Sequence, residues 1–160
     1  MLIVFKAKNM GFYVKFNDSP AAQEILLHLP LEGVGRRWGD EIYFETNISV
    51  PSDGQTLEVK VGDVAYWPEG KCLCVFFGPT PASQADKPVP ASPVVIIGST
   101  MATPGELREI KVDEPIRVFV MGKGQDYAQG GNPYDDYRKL SQQEIDILVR
   151  QLLEEKRSAS

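Results

Sequence analysis

Alternating and continuous apolar runs divide the first 120 residues into short predicted strands. The runs at 2–7 and 12–16 are separated by Lys8-Asn9-Met10-Gly11, a spacing typical of a β-hairpin. Further strands are predicted at 40–50, 57–61, 64–67, 72–77, 94–97 and 116–121. Many short strands with few helices favour a closed barrel. We therefore predict a mostly β fold, a β-barrel with capping helices.

Two short helices are predicted between these strands. Ser19 followed by Pro20 is typical of a helix start, because the hydroxyl can cap free N–H groups and proline suits the first helical position. The helix continues through 21–29 and ends at Pro30. The sequence at 103–107 predicts a second helix of one or two turns.

The strand predicted at 72–77 is apolar on both faces. Its side chains alternate between Leu73, Val75 and Phe77 on one face and Cys72, Cys74 and Phe76 on the other. One face can fill a barrel interior, and the other must be covered by a helix or line a cleft. The Gly-Pro-Thr-Pro sequence at 78–81 ends the strand, because proline lacks a ladder N–H. This stop predicts a barrel rim.

The C-terminal region differs from the rest of the chain. Residues 122–137 lack apolar periodicity and predict a Gly-rich linker after a barrel at 1–121. A capping-box pattern at 141–144 then predicts a helix within 138–160. Its apolar face consists of Ile145, Leu148, Val149, Leu152 and Leu153. This face can pack on the chain's own barrel, which we favour together with a monomer, or on a second copy in a homodimer.

Composition places the chain among ordinary globular proteins. Its 160 residues fit one domain. The net charge of −5 and pI near 4.9 argue against a nucleic-acid partner, whose phosphates require a basic surface. No apolar stretch reaches the ~18–20 residues of a membrane span. We expect a cytoplasmic protein with no membrane partner, in which Cys72 and Cys74 are reduced core residues.

Candidate chemistry is sparse. The predicted ligand-binding residues, for a small molecule or peptide that the sequence does not identify, are Arg37, Trp38, Tyr43, Trp67 and Phe77. The alternatives are that the arginines at 36 and 37 pair with Asp40 or Glu41 on a solvated turn, and that the aromatic rings are plain packing. The only histidine, His28, is expected on a helix surface. The sequence assigns no catalytic residue, metal site or cofactor.

Three segments carry a resemblance to a known family. WGDEIYF (38–44), VGDVAYWPEGKCLCVFFGPTP (61–81) and ASPVVIIGS (91–99) resemble small prokaryotic proteins with a cyclophilin-like domain, uncharacterised and distinct from the true peptidyl-prolyl isomerases. The resemblance runs from the first strand to about Val120. It implies a cyclophilin-like closed barrel, with the predicted C-terminal helix outside it.

The resemblance also bears on activity. In true cyclophilins a strand with a Phe-Phe pair contributes one ring to the proline pocket, which implies Phe77 as the cleft floor. Cyclophilins place a Phe five residues after the pocket Arg and a Gln three further on, whereas here Arg36 is followed by Glu41 and Phe44. This implies binding of a small molecule or extended peptide in an aromatic cleft without prolyl isomerase activity. A degenerate or atypical isomerase, or another enzyme chemistry on the same barrel, is the alternative.

Overall fold

The computed structural model of the protein describes residues 2–120 and, near the C terminus, residues 143, 146, 147, 149–151, 153 and 154. The strands are β1 (Leu2–Lys6), β2 (Gly11–Phe16), β3 (Leu31–Val34), β4 (Arg36–Arg37), β5 (Glu41–Glu45), β6 (Asp63–Trp67), β7 (Cys72–Phe76), β8 (Val95–Ser99) and β9 (Pro115–Val120). Two helices lie between them, α1 (Pro20–Leu27) and α2 (Pro104–Leu107).

The strands form one antiparallel sheet that curls into a nearly closed barrel. Their order is β3-β9-β1-β2-β8-β6-β7-β5-β4. The two edge strands, β3 and β4, are consecutive in the chain and are joined through Gly35, so the backbone itself spans the remaining gap. At this gap the backbone of Gly33 lies against the Phe44 ring, leaving no room for a Cβ. The mostly β barrel predicted from the sequence is confirmed.

Local signals in the sequence explain the first elements. The predicted hairpin is present, and its pairing runs from Leu2 opposite Lys15 to Lys6 opposite Gly11. At the start of α1, the Ser19 hydroxyl accepts a hydrogen bond from the Ala22 N–H at 3.1 Å. These cap and turn residues act locally, which is why the sequence alone identifies them.

Two apolar clusters lie on opposite sides of the sheet. The larger fills the barrel and includes Leu73 and Val75 from β7 and Phe77 directly after it. The smaller lies outside the barrel and consists of Val59, Ala65, Cys72, Cys74, Phe76 and Val94, with Tyr43, Trp67 and Ile96 packed against it. The prediction that β7 is buried on both faces is therefore confirmed.

The structure corrects two strand predictions. Residues 57–61 form no named strand: only an isolated bridge joins Thr56 to Val94, and Leu57 and Val61 are exposed. Val59 alone is buried, because it covers the outer cluster. The strand predicted at 40–50 ends at Glu45, and the backbone turns at Asn47 with a φ of 60°.

Strands β3 and β4 were not predicted from the sequence. Their sequences, Leu-Glu-Gly-Val and Arg-Arg, are too short and too polar to produce a strand signal. Their pairing with β9 and β5 supplies the stabilisation instead. The sequence pattern therefore does not predict the two strands that close the barrel.

The described residues near the C terminus are helical and contact the barrel. Gln151 is fully buried, and its Oε1 accepts a hydrogen bond from the Tyr13 N–H at 2.9 Å. Arg150 forms an ion pair with Glu106. Val149 and Leu153 of the predicted apolar face are exposed. The linker at 122–137 and the other face positions, Ile145, Leu148 and Leu152, lie outside the described residues.

Among the residues that the structure describes, none belongs to a helix both long enough and apolar enough to cross a membrane.

Candidate functional site

A small cavity lies beside the outer apolar cluster. Its volume is about 150 Å³, and it is lined by Trp38, Glu41, Tyr43, Trp67, Pro90, Ala91 and Val94. For comparison, an engineered apolar protein cavity of about 150 Å³ binds benzene. The cavity therefore has room for roughly one aromatic ring or an aliphatic group of similar size.

Strand alternation explains which side chains reach this cavity. In β5, Ile42 and Phe44 belong to the barrel core, so Glu41 and Tyr43 lie on the opposite face of the sheet. Tyr43 is directly opposite Cys74 of β7, within the outer cluster. The cavity is thus built on the part of the sheet where β7 is apolar on its outer face.

The Trp67 ring is fixed by contacts on two sides. Its Nε1–H donates to the Ser92 hydroxyl, which in turn donates to the Glu69 carboxylate at 2.6 Å. The backbone of Gly70 lies so close that a Cβ there would approach the ring to 2.4 Å. The aromatic wall is therefore held in one orientation before any ligand arrives.

The proline-rich loop between β7 and β8 supplies the opposite wall. The buried Thr80 hydroxyl donates to the Val89 carbonyl, and the Ser83 hydroxyl donates to the Lys87 carbonyl at 2.7 Å. These bonds close the loop on itself and bring Pro90 and Ala91 over the cavity. The Gly-Pro-Thr-Pro exit from β7 thus begins a cavity wall as well as a barrel rim.

Glu41 is the unusual member of the lining, because it is a carboxyl only 6% exposed. Burial raises its pKa from the ordinary 4.5 to about 7, and a hydrogen bond from the Cys74 thiol limits the rise. Within the described part of the chain, no basic side chain pairs with it: Arg37 and Arg108 both pair with its neighbour Asp40. A buried carboxyl of shifted pKa in a cleft is a functional-site candidate.

The sequence did not mark Glu41 as a site residue. Acidic residues are common in this chain, and a pair such as Glu41 and Glu45 carries no specific signal. The signal that could have found it is its spacing of two from Tyr43, which puts both side chains on one face of a strand.

The five predicted site residues divide into two groups. Trp38, Tyr43 and Trp67 line the cavity together. Arg37 and Phe77 are not part of its lining and contact each other instead, with the guanidinium 4.9 Å from the ring centroid. Arg37 also donates to the Gly39 carbonyl at 3.1 Å and lies 3.4 Å from Asp40, which is the turn pairing given above as the alternative.

The position implied for Phe77 is therefore wrong. Its ring is 1% exposed and belongs to the barrel core with Leu73 and Val75. Phe76 belongs to the outer cluster beside the cavity. The likeness to cyclophilins identified the strand, but the alternation of side chains decides which phenylalanine faces outward.

The two thiols are not poised for reaction. Cys72 and Cys74 are free and buried, as predicted. Burial, followed by the nearby carboxylates of Glu45 and Glu41, raises the pKa of Cys72 to about 11. Burial likewise raises the pKa of Cys74 well above its usual range. Since the thiolate is the nucleophile, these residues act as packing groups and, for Cys74, as a hydrogen-bond donor.

A second, wider cavity adjoins the first. Its volume is about 460 Å³, and it is lined by Gly33, Val34, Arg36, Tyr43, Glu45, Asn47 and Cys72. Tyr43 lines both cavities and so stands between them. This second cavity is more polar and lies over the gap where the barrel closes.

Comparisons with known proteins agree with this architecture. A family model described as Cyclophilin-like matches residues 1–119. The solution structure of the hypothetical protein AF2241 from Archaeoglobus fulgidus is 34% identical, with a TM-score of 0.64 over 74% of this chain and 93% of that chain. A structure of McbB in complex with tryptophan has the same fold, with a TM-score of 0.55 at 18% identity over 77% of this chain and 46% of that chain. No curated protein matches the sequence.

Proposed function

The chain belongs to the cyclophilin-like family, and we propose that it binds a small molecule in the cavity outside its barrel without catalysing prolyl isomerisation. The observation that carries this proposal is the grouping of Trp38, Tyr43 and Trp67 around a buried carboxyl. Small-molecule sites are typically concave, mostly apolar and provided with few polar groups.

The fold supports the proposal only in general terms. McbB, of which 46% matches this chain, was solved in complex with tryptophan. At 18% identity the likeness extends to the fold alone, and the ligand class for this chain is argued from its own residues.

Filling the cavity tests the proposal directly. Ala91 lines the cavity and is exposed, so Ala91→Phe adds a ring there and leaves every other lining side chain in place. Ala85→Phe is the matched control, because Ala85 is exposed in the same loop and is not part of the lining. Both variants are screened against a panel of small amines, acids and neutral aromatics by thermal shift.

We expect at least one panel compound to stabilise the wild type and Ala85→Phe but not Ala91→Phe. A compound that stabilises all three proteins equally would show that binding occurs elsewhere. A panel that stabilises none of them would contradict the proposed function.

The absence of isomerase activity has its own support. Arg37, the arginine among the predicted site residues, has its guanidinium on the Phe77 ring and its N–H groups directed to Gly39 and Asp40. Uncatalysed isomerisation takes tens to hundreds of seconds, so weak catalysis is measurable. We expect no acceleration on standard proline peptides. A rate increase that disappears in Arg37→Ala would overturn this part of the proposal.

An extended peptide is a second candidate ligand, favoured by the second cavity. The two cavities flank Tyr43, so a peptide could place one side chain in each. A peptide ligand would protect both regions, including Arg36 and Asn47, from hydrogen exchange. A small molecule is expected to protect only the region around Trp67 and Ala91.

Another chemistry on the same barrel is the remaining alternative, and Glu41 favours it. A carboxyl with a pKa of about 7 suits proton transfer near neutral pH. Consumption of a panel compound by the wild type but not by Glu41→Gln would support this alternative, whereas binding without turnover supports the proposal above.

A further inference from the structure

The cavity combines largely aromatic and apolar walls with a single carboxyl, that of Glu41. Apolar walls alone would suit a neutral hydrocarbon, and a carboxyl buried among them is costly unless something pairs with it. The nearby arginines are engaged elsewhere: Arg37 and Arg108 with Asp40, and Arg36 with Asp113. In the described structure, the protein therefore supplies Glu41 with a thiol donor but with no positive charge.

We propose that the ligand is a small organic cation, a protonated amine whose nitrogen contacts the Glu41 carboxylate while its apolar part lies among Trp38, Tyr43 and Trp67. This inference rests on the proposed binding function and specifies its ligand class. Tryptophan and tyrosine rings are among the best side chains for attracting a cation, so the walls and the carboxyl favour the same chemistry.

The surroundings favour a cation as well. Glu69 accepts a hydrogen bond from Ser92, which itself accepts one from the cavity-lining Trp67. Glu45 lines the adjoining cavity on the same strand as Glu41. Together with the net charge of −5, these carboxylates attract cations and repel anions. A carboxylic acid or phosphate ligand is therefore disfavoured.

Binding of the cation is coupled to release of a proton from Glu41. Burial holds the Glu41 pKa at about 7, so the free protein at lower pH carries a neutral carboxyl, which must release its proton when the cation binds. The other ionisable groups facing Glu41 are the Cys72 and Cys74 thiols, whose pKa values burial raises, and the Tyr43 phenol. Trp38, Trp67 and the loop at 90–94 contribute no ionisable side chain. Affinity for an amine should rise with pH and level off above about pH 7.

The two tryptophans of the chain provide a specific readout. Trp38 and Trp67 are the only tryptophans, and both line the cavity. Benzylammonium and benzyl alcohol serve as probes, because they are similar in shape and differ in charge. Each is titrated into wild type, Glu41→Gln and Asp18→Asn while tryptophan emission is followed. Asp18→Asn is the control, because it removes one exposed negative charge outside the cavity.

At about pH 8 we expect benzylammonium to bind wild type and Asp18→Asn at least about tenfold more tightly than benzyl alcohol. This difference corresponds to the binding free energy of one charge-assisted hydrogen bond. In Glu41→Gln this preference disappears. For wild type, the affinity for benzylammonium should fall roughly tenfold between about pH 8 and about pH 6, while that for benzyl alcohol stays constant.

Equal binding of both probes at every pH, unchanged in Glu41→Gln, would overturn the cation inference and leave the proposed binding function standing. Emission that responds to neither probe would contradict the binding function itself. If Glu41→Gln does not fold, the pH dependence of wild type with the two probes decides the matter.

Discussion

Glu41 is a buried carboxyl that titrates near neutral pH because its strand directs it toward the outer apolar cluster. The pKa of about 7 has a consequence for stability that does not depend on any ligand. Between the ordinary value of 4.5 and about 7, the folded protein holds a proton that the unfolded chain has released. The free energy of unfolding therefore falls as pH rises through this window, and the loss is complete once Glu41 ionises in the folded protein above about pH 7.

We predict that Glu41→Gln is more stabilising at high pH than at low pH. The shift in pKa corresponds to about 3 kcal/mol between about pH 4 and about pH 8. Urea unfolding across this range, with Asp18→Asn as the control, measures the difference. A difference that does not vary with pH would show that Glu41 is not buried as described.

Phe77 shows how one position along a strand decides a role. Its ring is 1% exposed in the barrel core, whereas Tyr43 is half-buried at the cavity. We predict that Phe77→Ala lowers the free energy of unfolding by about 3–5 kcal/mol, as for a core aromatic residue. Tyr43→Ala should cost distinctly less. Similar values for the two variants in urea unfolding would contradict the separation of core and cavity.

At the scale of elements, β7 and the loop that follows it do most to define the cavity. The inner face of β7 fills the barrel, its outer face supports the cavity, and the loop after it provides a wall. The two-sided apolar pattern of β7 is visible in the sequence. The sequence does not show that Val59 and the loop cover the outer face of β7, because isolated apolar residues in loops produce no periodic signal.

The described C-terminal residues supply a hydrogen bond to the barrel. Strands β2 and β8 pair only at Lys15–Ser99 and Phe16–Gly98, and further along β2 the Gln151 side chain accepts from the Tyr13 N–H. This contact places the described part of the segment on its own barrel, and the monomer stays a prediction.

We predict that Gln151→Ala lowers the free energy of unfolding by about 1–3 kcal/mol, because a buried N–H loses its acceptor. Gln143→Ala is the control, since Gln143 is exposed in the same segment. The elution volume on gel filtration should not change in either variant. A change from dimer to monomer in Gln151→Ala, with unaltered stability, would instead indicate a contact between copies.

At the scale of the whole molecule, the sequence predicts the barrel well and the site partly. Hairpins, caps and alternating runs depend on neighbours in the chain, and these predictions hold for β1, β2 and α1. Closure by β3 depends on β9, a partner distant in sequence, and β4 is too short to give a pattern although its partner β5 follows directly. The role of Glu41 depends on what covers it, which no local pattern reveals.

The central claim is that the cavity beside Trp38 and Trp67 is where this protein binds its ligand. Because the chain has only these two tryptophans, its ¹H–¹⁵N correlation spectrum should contain two indole N–H signals, both from the cavity. Titration with benzylammonium should shift both indole signals together with the amides of Glu41 and Ala91, and Ala91→Phe should abolish these shifts. Shifts confined to other parts of the barrel, with both indole signals unmoved, would contradict the claim.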